Sequence, residues 1–110
     1  MRLAACALLL ALAACAGRGG CGADGAVVEN ASALAVEQLH LAPAGTEGWG
    51  TDLLAQADLP SGGRLPIRLT GPGRQALRVV WVNGRAAEMR DIDACTTRRI
   101  TILDGSLRGD

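Results

Sequence analysis

The sequence predicts an all-β fold, a small antiparallel β-sandwich or partly open barrel of about six strands. Short runs of apolar and β-branched residues alternate with turn residues along most of the chain. No part of the chain after residue 25 has the periodicity of a long amphipathic helix. The chain has 110 residues, and the 96 that follow a 14-residue signal suffice for one domain.

The first two predicted strands are residues 26–29 and 34–42, and the turn residues between them predict a hairpin. Within the second strand the apolar residues change parity. This predicts a bulge near Glu37 and Gln38 that returns the following residues to the inward face. The same stretch also allows a helix over residues 31–41.

A loop over residues 43–50 and a single helical turn capped by Thr51 are predicted next. Residues 64–69 then alternate as a strand with Leu65, Ile67 and Leu69 inward. Because Pro66 has no N–H to donate, this strand is predicted at the edge of a sheet.

The most regular strand is predicted over residues 76–82, with Trp81 in the core. Asn83-Gly84 predicts a type I′ hairpin turn after it, with residues 85–90 returning antiparallel. Residues 99–103 are the last predicted strand, and residues 105–110 are predicted to be a polar tail.

The N-terminus has the form of an export signal. Met1 and Arg2 precede an apolar run over residues 3–12, about half of the roughly 20 residues that cross a bilayer. The segment Leu12-Ala13-Ala14-Cys15 resembles the lipobox of bacterial lipoproteins. That resemblance implies cleavage before Cys15 and acylation of this residue, with fatty acids such as palmitate holding the protein in the membrane.

The predicted organisation is therefore a signal peptide over residues 1–14, a lipidated flexible tether over 15–25, and a β-domain over 26–104. The lipoprotein pattern, with Ala16 rather than Asp after the cysteine, implies the outer membrane facing the periplasm. Ordinary signal-peptidase cleavage at this segment is the alternative, and it would release a soluble periplasmic protein.

The formal charge is zero, which argues against a general nucleic-acid binder. Residues 21–60 carry six acids and no arginine, whereas residues 61–110 carry nine arginines and five acids. One interpretation is that strands from the two halves lie side by side and pair these charges. The other is an anion-binding face, built by Arg64, Arg68, Arg78 and Arg98.

Five segments together resemble a family of small exported bacterial β-domains, often labelled hypothetical or named after a Tat signal. The resemblance covers about residues 26–103 and implies a β-sandwich-like fold with no known catalytic activity. Many members have a cysteine just before the strand that contains Leu77 and Arg78, where this chain has Gly73 and Arg74. The segments are Val28-Glu29-Asn30-Ala31-Ser32, Leu39-His40-Leu41-Ala42-Pro43, Trp49-Gly50-Thr51-Asp52-Leu53-Leu54, Leu77-Arg78-Val79-Val80-Trp81 with Asn83-Gly84, and Ile92-Asp93-Ala94-Cys95.

If Cys6 leaves with the signal and Cys15 is acylated, Cys21 and Cys95 remain as candidates for a disulfide bond. The alternative is a buried Cys95 and a free thiol at Cys21. A catalytic pair or metal site that includes His40 has no spacing motif to support it. The carboxylates of Asp91 and Asp93 are too few to bind calcium alone.

Trp49, Val80 and Val82 are candidate contacts for a ligand or partner, because Trp49 lies in a glycine-flanked loop and the valines oppose Trp81. Trp49 could instead cap one end of the sandwich. The sequence predicts a membrane-anchored, non-catalytic interaction or structural module with no cofactor, no metal and an unknown envelope partner. A small-ligand or glycan-binding module is the alternative function.

Overall fold

The structure is a computed structural model that describes residues 25–55, 57–69 and 73–110. The described residues contain seven strands in two sheets, which confirms the predicted all-β sandwich. The predicted signal peptide and tether, which include Cys15 and Cys21, lie outside the described residues; only Gly25, the last residue of the tether, is described. The strands are β1 (Ala26–Asn30), β2 (Val36–Pro43), β3 (Arg64–Ile67), β4 (Arg74–Trp81), β5 (Ala86–Asp93), β6 (Arg99–Leu103) and β7 (Ser106–Gly109).

The four-stranded sheet has the order β3-β1-β6-β7, and β1 runs antiparallel to β3 but parallel to β6. The predicted hairpin between the first two strands is therefore wrong, because β2 belongs to the other sheet. The side chains of Asn30 and Ser32 are buried and bind nearby backbone, which turns the chain from one sheet to the other.

The edges of this sheet confirm one prediction and change another. β3 is an edge strand, as the missing N–H of Pro66 predicted. The predicted polar tail instead contributes β7, which pairs antiparallel with β6. Leu107 lies opposite Ile102 and packs against the core, and backbone hydrogen bonds between Asp110 and Arg99 continue the pairing with β6.

The three-stranded sheet has the order β2-β4-β5. The predicted bulge in β2 is confirmed: Val36 faces Trp81 and Gln38 faces Val80, which leaves Glu37 as the extra residue. Because the bulge restores the alternation, Val36 and Leu39 are both fully buried.

The β4–β5 hairpin is confirmed, but its predicted turn type is wrong. The Trp81 N–H donates to the Arg85 carbonyl at 2.8 Å, so the loop has three residues rather than two. Among the described residues only glycines have positive φ, and Gly84 has φ 86°. A type I turn followed by a glycine in the left-handed region fits this pattern, and it needs no positive φ at Asn83.

The core lies between the two sheets. It is built from inward-facing residues of both sheets, including Val28 and Ile100 from the first and Leu77 and Val79 from the second. The two ends of the sandwich differ in character. The Trp81 end contains Asn30, Ser32, Trp81 and Asp104, and the Gly25 end contains Gly25, Arg68, Cys95 and Arg98.

Candidate functional site

The outer face of the three-stranded sheet carries the main concentration of chemically versatile side chains among the described residues. We call it the Trp49 face and define it by His40, Arg78, Glu88, Arg90 and Trp49. His40 on β2 lies opposite Arg78 on β4, and Arg78 lies opposite Glu88 on β5. The sheet thus places a row of polar side chains across three strands.

The loop after β2 carries Trp49 across the central strand. The guanidinium carbon of Arg90, on β5, lies 5.6 Å from the centroid of the Trp49 ring. This distance is within the range of a cation–π interaction. Because β4 separates β2 from β5, the loop must cross β4 to make this contact, and Ala76 on the outer face of β4 is only 4% exposed.

The segment that follows Trp49 is held along the edge of β2. The Asp52 carboxylate accepts hydrogen bonds from the backbone N–H groups of Leu39 at 2.9 Å and Leu54 at 3.0 Å. Leu53 N–H also donates to the carbonyl of Leu39. Asp52, rather than the predicted Thr51, therefore holds the turn in place, and Trp49 is anchored on its C-terminal side.

Glu88 lies between two arginines on this face. Arg78 Nη1 lies 2.7 Å from Glu88 Oε2, and Arg90 Nη2 lies 2.5 Å from Glu88 Oε1. The hydrogen bonds from Arg78 and then Arg90 hold the pKa of Glu88 below its ordinary value. Glu88 therefore stays ionised at pH values where a free glutamate begins to protonate, and it keeps Arg90 in position over Trp49.

The structure gives His40 and Cys95 separate surroundings. His40 Nδ1 lies 3.2 Å from the Gly50 carbonyl, and Nε2 lies 3.3 Å from the Gln38 side-chain oxygen. Cys95 is disulfide-bonded. The other cysteines of the sequence lie outside the described residues, so the pairing with Cys21 stays a prediction. A sulfur in a disulfide has no thiolate to act as a nucleophile or metal ligand.

Asp91 and Asp93 are held by Arg74 rather than arranged around a cation. Arg74 lies 3.4 Å from Asp91 and 3.8 Å from Asp93. The Asp93 carboxylate also accepts from the Cys95 N–H at 2.8 Å. Within the described part of the chain, no group of three His, Cys, Asp or Glu side chains is arranged to hold a metal.

The two candidate valines lie in different places. Val80 is half-buried on the outer face of β4, between Gln38 and Ala86. Val82 lies beyond the end of β4, in the turn, and is 43% exposed. The prediction that both valines lie on one strand is therefore wrong, because β4 ends at Trp81.

The predicted pairing of charges between the two halves of the sequence occurs once among the described ion pairs. Arg64 on β3 pairs at 2.9 Å with Glu29 on β1, and the other ion pairs lie within the basic half. The predicted four-arginine face is wrong, since Arg64 and Arg78 are paired with carboxylates on different sheets. Arg68 and Arg98, however, line one cavity.

Glu88 and Arg90 were not predicted as site residues, because strand alternation places them outward, where charged residues are common. The distinguishing feature of Arg90 is its contact with Trp49, which is 41 positions away and has no sequence signal. Asn30 and Ser32 were predicted as turn residues only. They form a buried network instead, in which Trp81 Nε1 donates to Ser32 Oγ at 3.0 Å.

Comparison of the chain with models of known protein families, with curated proteins and with solved structures finds no match. The resemblance noted in the sequence therefore stays a prediction. No helix within the described ranges is long and apolar enough to span a bilayer.

Proposed function

We propose that this protein is a lipid-anchored, non-catalytic interaction module of the bacterial cell envelope, and that the Trp49 face binds a protein partner. The observation that supports it is the stack of Arg90 on Trp49 beside the Arg78–Glu88 pair. Tryptophan and arginine are the residue types that most often dominate binding energy at protein interfaces. The lipobox ending at Cys15 supports the anchor.

The charge of the Trp49 face favours a protein that presents a carboxylate. Arg78 and Arg90 provide two positive charges against one from Glu88. The ion pairs already hold both guanidinium groups, so a partner meets side chains whose positions are set in advance. Preorganisation of this kind lowers the entropic cost of binding.

A photocrosslinking experiment tests the partner assignment. A photoreactive residue at Ala86, which is exposed and beside Val80, is expected to crosslink one envelope protein in the native host. Trp49→Ala is expected to reduce that crosslink by at least about tenfold, as truncation of an interface hot spot does. Arg64→Ala removes an ion pair from the other sheet and is the matched control.

Three outcomes contradict the partner assignment. The first is a crosslink that persists in Trp49→Ala, and the second is a crosslink that falls equally in Arg64→Ala. The third is a Trp49→Ala protein that unfolds at a lower urea concentration than the native protein. The third outcome is checked in the same preparation, because a loss of stability would assign the half-buried Trp49 to the fold rather than to a partner.

The proposed lipid anchor is tested separately, by measuring the intact mass of the protein purified from membranes of its host. The expected mass is that of a chain beginning at Cys15 with its acyl groups. A mass without acyl groups contradicts the anchor and supports the soluble periplasmic form.

Glycan binding is the second candidate function, and it is supported by the single Trp beside the polar groups of His40 and Gln38. It is less favoured because Arg90 lies over a face of the Trp49 ring that a sugar would need for stacking. A glycan array probed with the native protein and with Trp49→Ala distinguishes the two. A signal that is lost in the variant supports the glycan.

A further inference from the structure

A cavity of about 370 Å³ lies at the Gly25 end, between the start of β1 and the end of β3. Its walls include Gly25, Val27 and Ile67. Gly25 has φ 75°, and a Cβ at this position would lie 3.0 Å from the Ile67 carbonyl oxygen. The backbone therefore approaches β3 closely here, where the chain enters the fold.

Two arginines provide the charge of this cavity. Arg68 and Arg98 line it, and no Asp or Glu is among its lining residues. Neither forms an ion pair with a carboxylate in the described ranges, although other arginines there, such as Arg64 and Arg78, do. Within the described residues the guanidinium group of Arg98 makes a single long hydrogen bond, 3.5 Å from Nη1 to the Cys95 carbonyl.

Two guanidinium groups that have no carboxylate partner among the described residues, at one concave site, produce a local positive potential. Guanidinium groups are always charged, and their planar donors match the oxygens of phosphate. Arg74 is paired with Asp91 and Asp93, so it adds no free positive charge of its own. The cavity therefore favours a phosphate-bearing anion.

We propose that Arg68 and Arg98 bind the phosphate of an anionic lipid headgroup. This rests on the proposed lipid anchor, because the chain leaves the fold at Gly25, beside the cavity. A fully extended tether over residues 15–25 spans at most about 40 Å, so the anchor keeps this end near the membrane surface.

The test uses the native lipoprotein in nanodiscs, with hydrogen exchange of the Val27 and Arg98 amides as the readout. Val27 N–H donates to the Arg98 carbonyl at 3.1 Å, so it reports directly on this site. The three samples contain phosphatidylcholine alone, phosphatidylcholine with about one-third phosphatidylglycerol, and phosphatidylcholine with inorganic phosphate in the buffer.

We expect exchange at these amides to slow by at least about threefold only in the phosphatidylglycerol sample. Arg68→Gln with Arg98→Gln should abolish this protection. Arg85→Gln with Arg108→Gln removes the same charge outside the cavity and should keep it.

Equal exchange in all three samples, or protection that survives in the Arg68 and Arg98 variant, overturns the proposal. Protection by inorganic phosphate as strong as that by phosphatidylglycerol overturns the assignment to a lipid. None of these outcomes affects the anchor, which the intact mass tests separately.

Discussion

Both ends of the sandwich close the same small core, but the side chains that do so differ in their chemistry. At the Trp81 end, Asn30 donates to the carbonyls of Leu34 and Leu59, and its side-chain oxygen accepts from Ser32. In the described residues no buried side-chain polar atom lacks a partner. At the Gly25 end, Arg68 and Arg98 are charged and lack carboxylate partners there. A satisfied network stabilises a fold, whereas uncompensated charge is available for a ligand.

The disulfide of Cys95 gives the largest expected effect at the Gly25 end. If Cys21 is the partner, the closed loop of roughly 74 residues contributes about 4 kcal/mol to the free energy of unfolding. Cys21→Ala and Cys95→Ala should each lose that amount in urea unfolding, and the double variant should lose no more. A Cys21→Ala protein with no new free thiol at Cys95 would show that the pairing is wrong.

Removal of the buried amide should be the most damaging polar substitution at the Trp81 end. Asn30→Ala removes four hydrogen bonds and leaves the Ser32 N–H without its acceptor, at an expected cost of about 2 to 4 kcal/mol. Asn83→Ala, in the exposed turn, removes only the bond to Arg85 N–H and is the matched control. Similar losses of unfolding free energy in both variants would mean that the Asn30 network contributes no more to stability than an ordinary exposed turn.

Substitutions at two glycines distinguish the effect of backbone conformation on stability from the effect of a close contact. Gly25→Ala is expected to cost about 1 to 2 kcal/mol, because it places a Cβ in the left-handed region and against Ile67. Gly45 has φ 85° with open space around its Cβ position, so Gly45→Ala should cost less. Equal losses measured by urea unfolding would mean that the contact with Ile67 has no role at this end.

Substitution of the two cavity arginines is expected to have the smallest effect on stability. Arg68→Gln with Arg98→Gln should change the free energy of unfolding by less than about 0.5 kcal/mol, because neither residue holds a buried partner. Thermal and urea unfolding at several salt concentrations measure this. A loss comparable to that of Asn30→Ala would assign these arginines to the fold rather than to a ligand.

Much of the fold could be predicted from local sequence pattern. The wrong predictions concern strand pairing that depends on residues distant in the sequence. The bulge at Glu37 and the edge position of Pro66 depend on neighbours and on backbone chemistry, so both predictions are confirmed. The hairpin of β1 with β2 was wrong because Asn30 binds the Leu59 carbonyl across 29 positions. The candidate site was predicted only in part: Trp49 was identified, but its partner Arg90 was not.

The sequence by itself determined the strand alternation and the β4–β5 hairpin, and it is the sole basis of the proposed export and lipidation signal ending at Cys15. These depend on residues close together in the chain, where sterics and periodicity act directly. Only the tertiary structure decided which strands share a sheet, which arginines find a carboxylate, and which remain beside the cavity at Gly25. Those outcomes depend on packing two sheets over one core, which brings together residues that no local pattern connects.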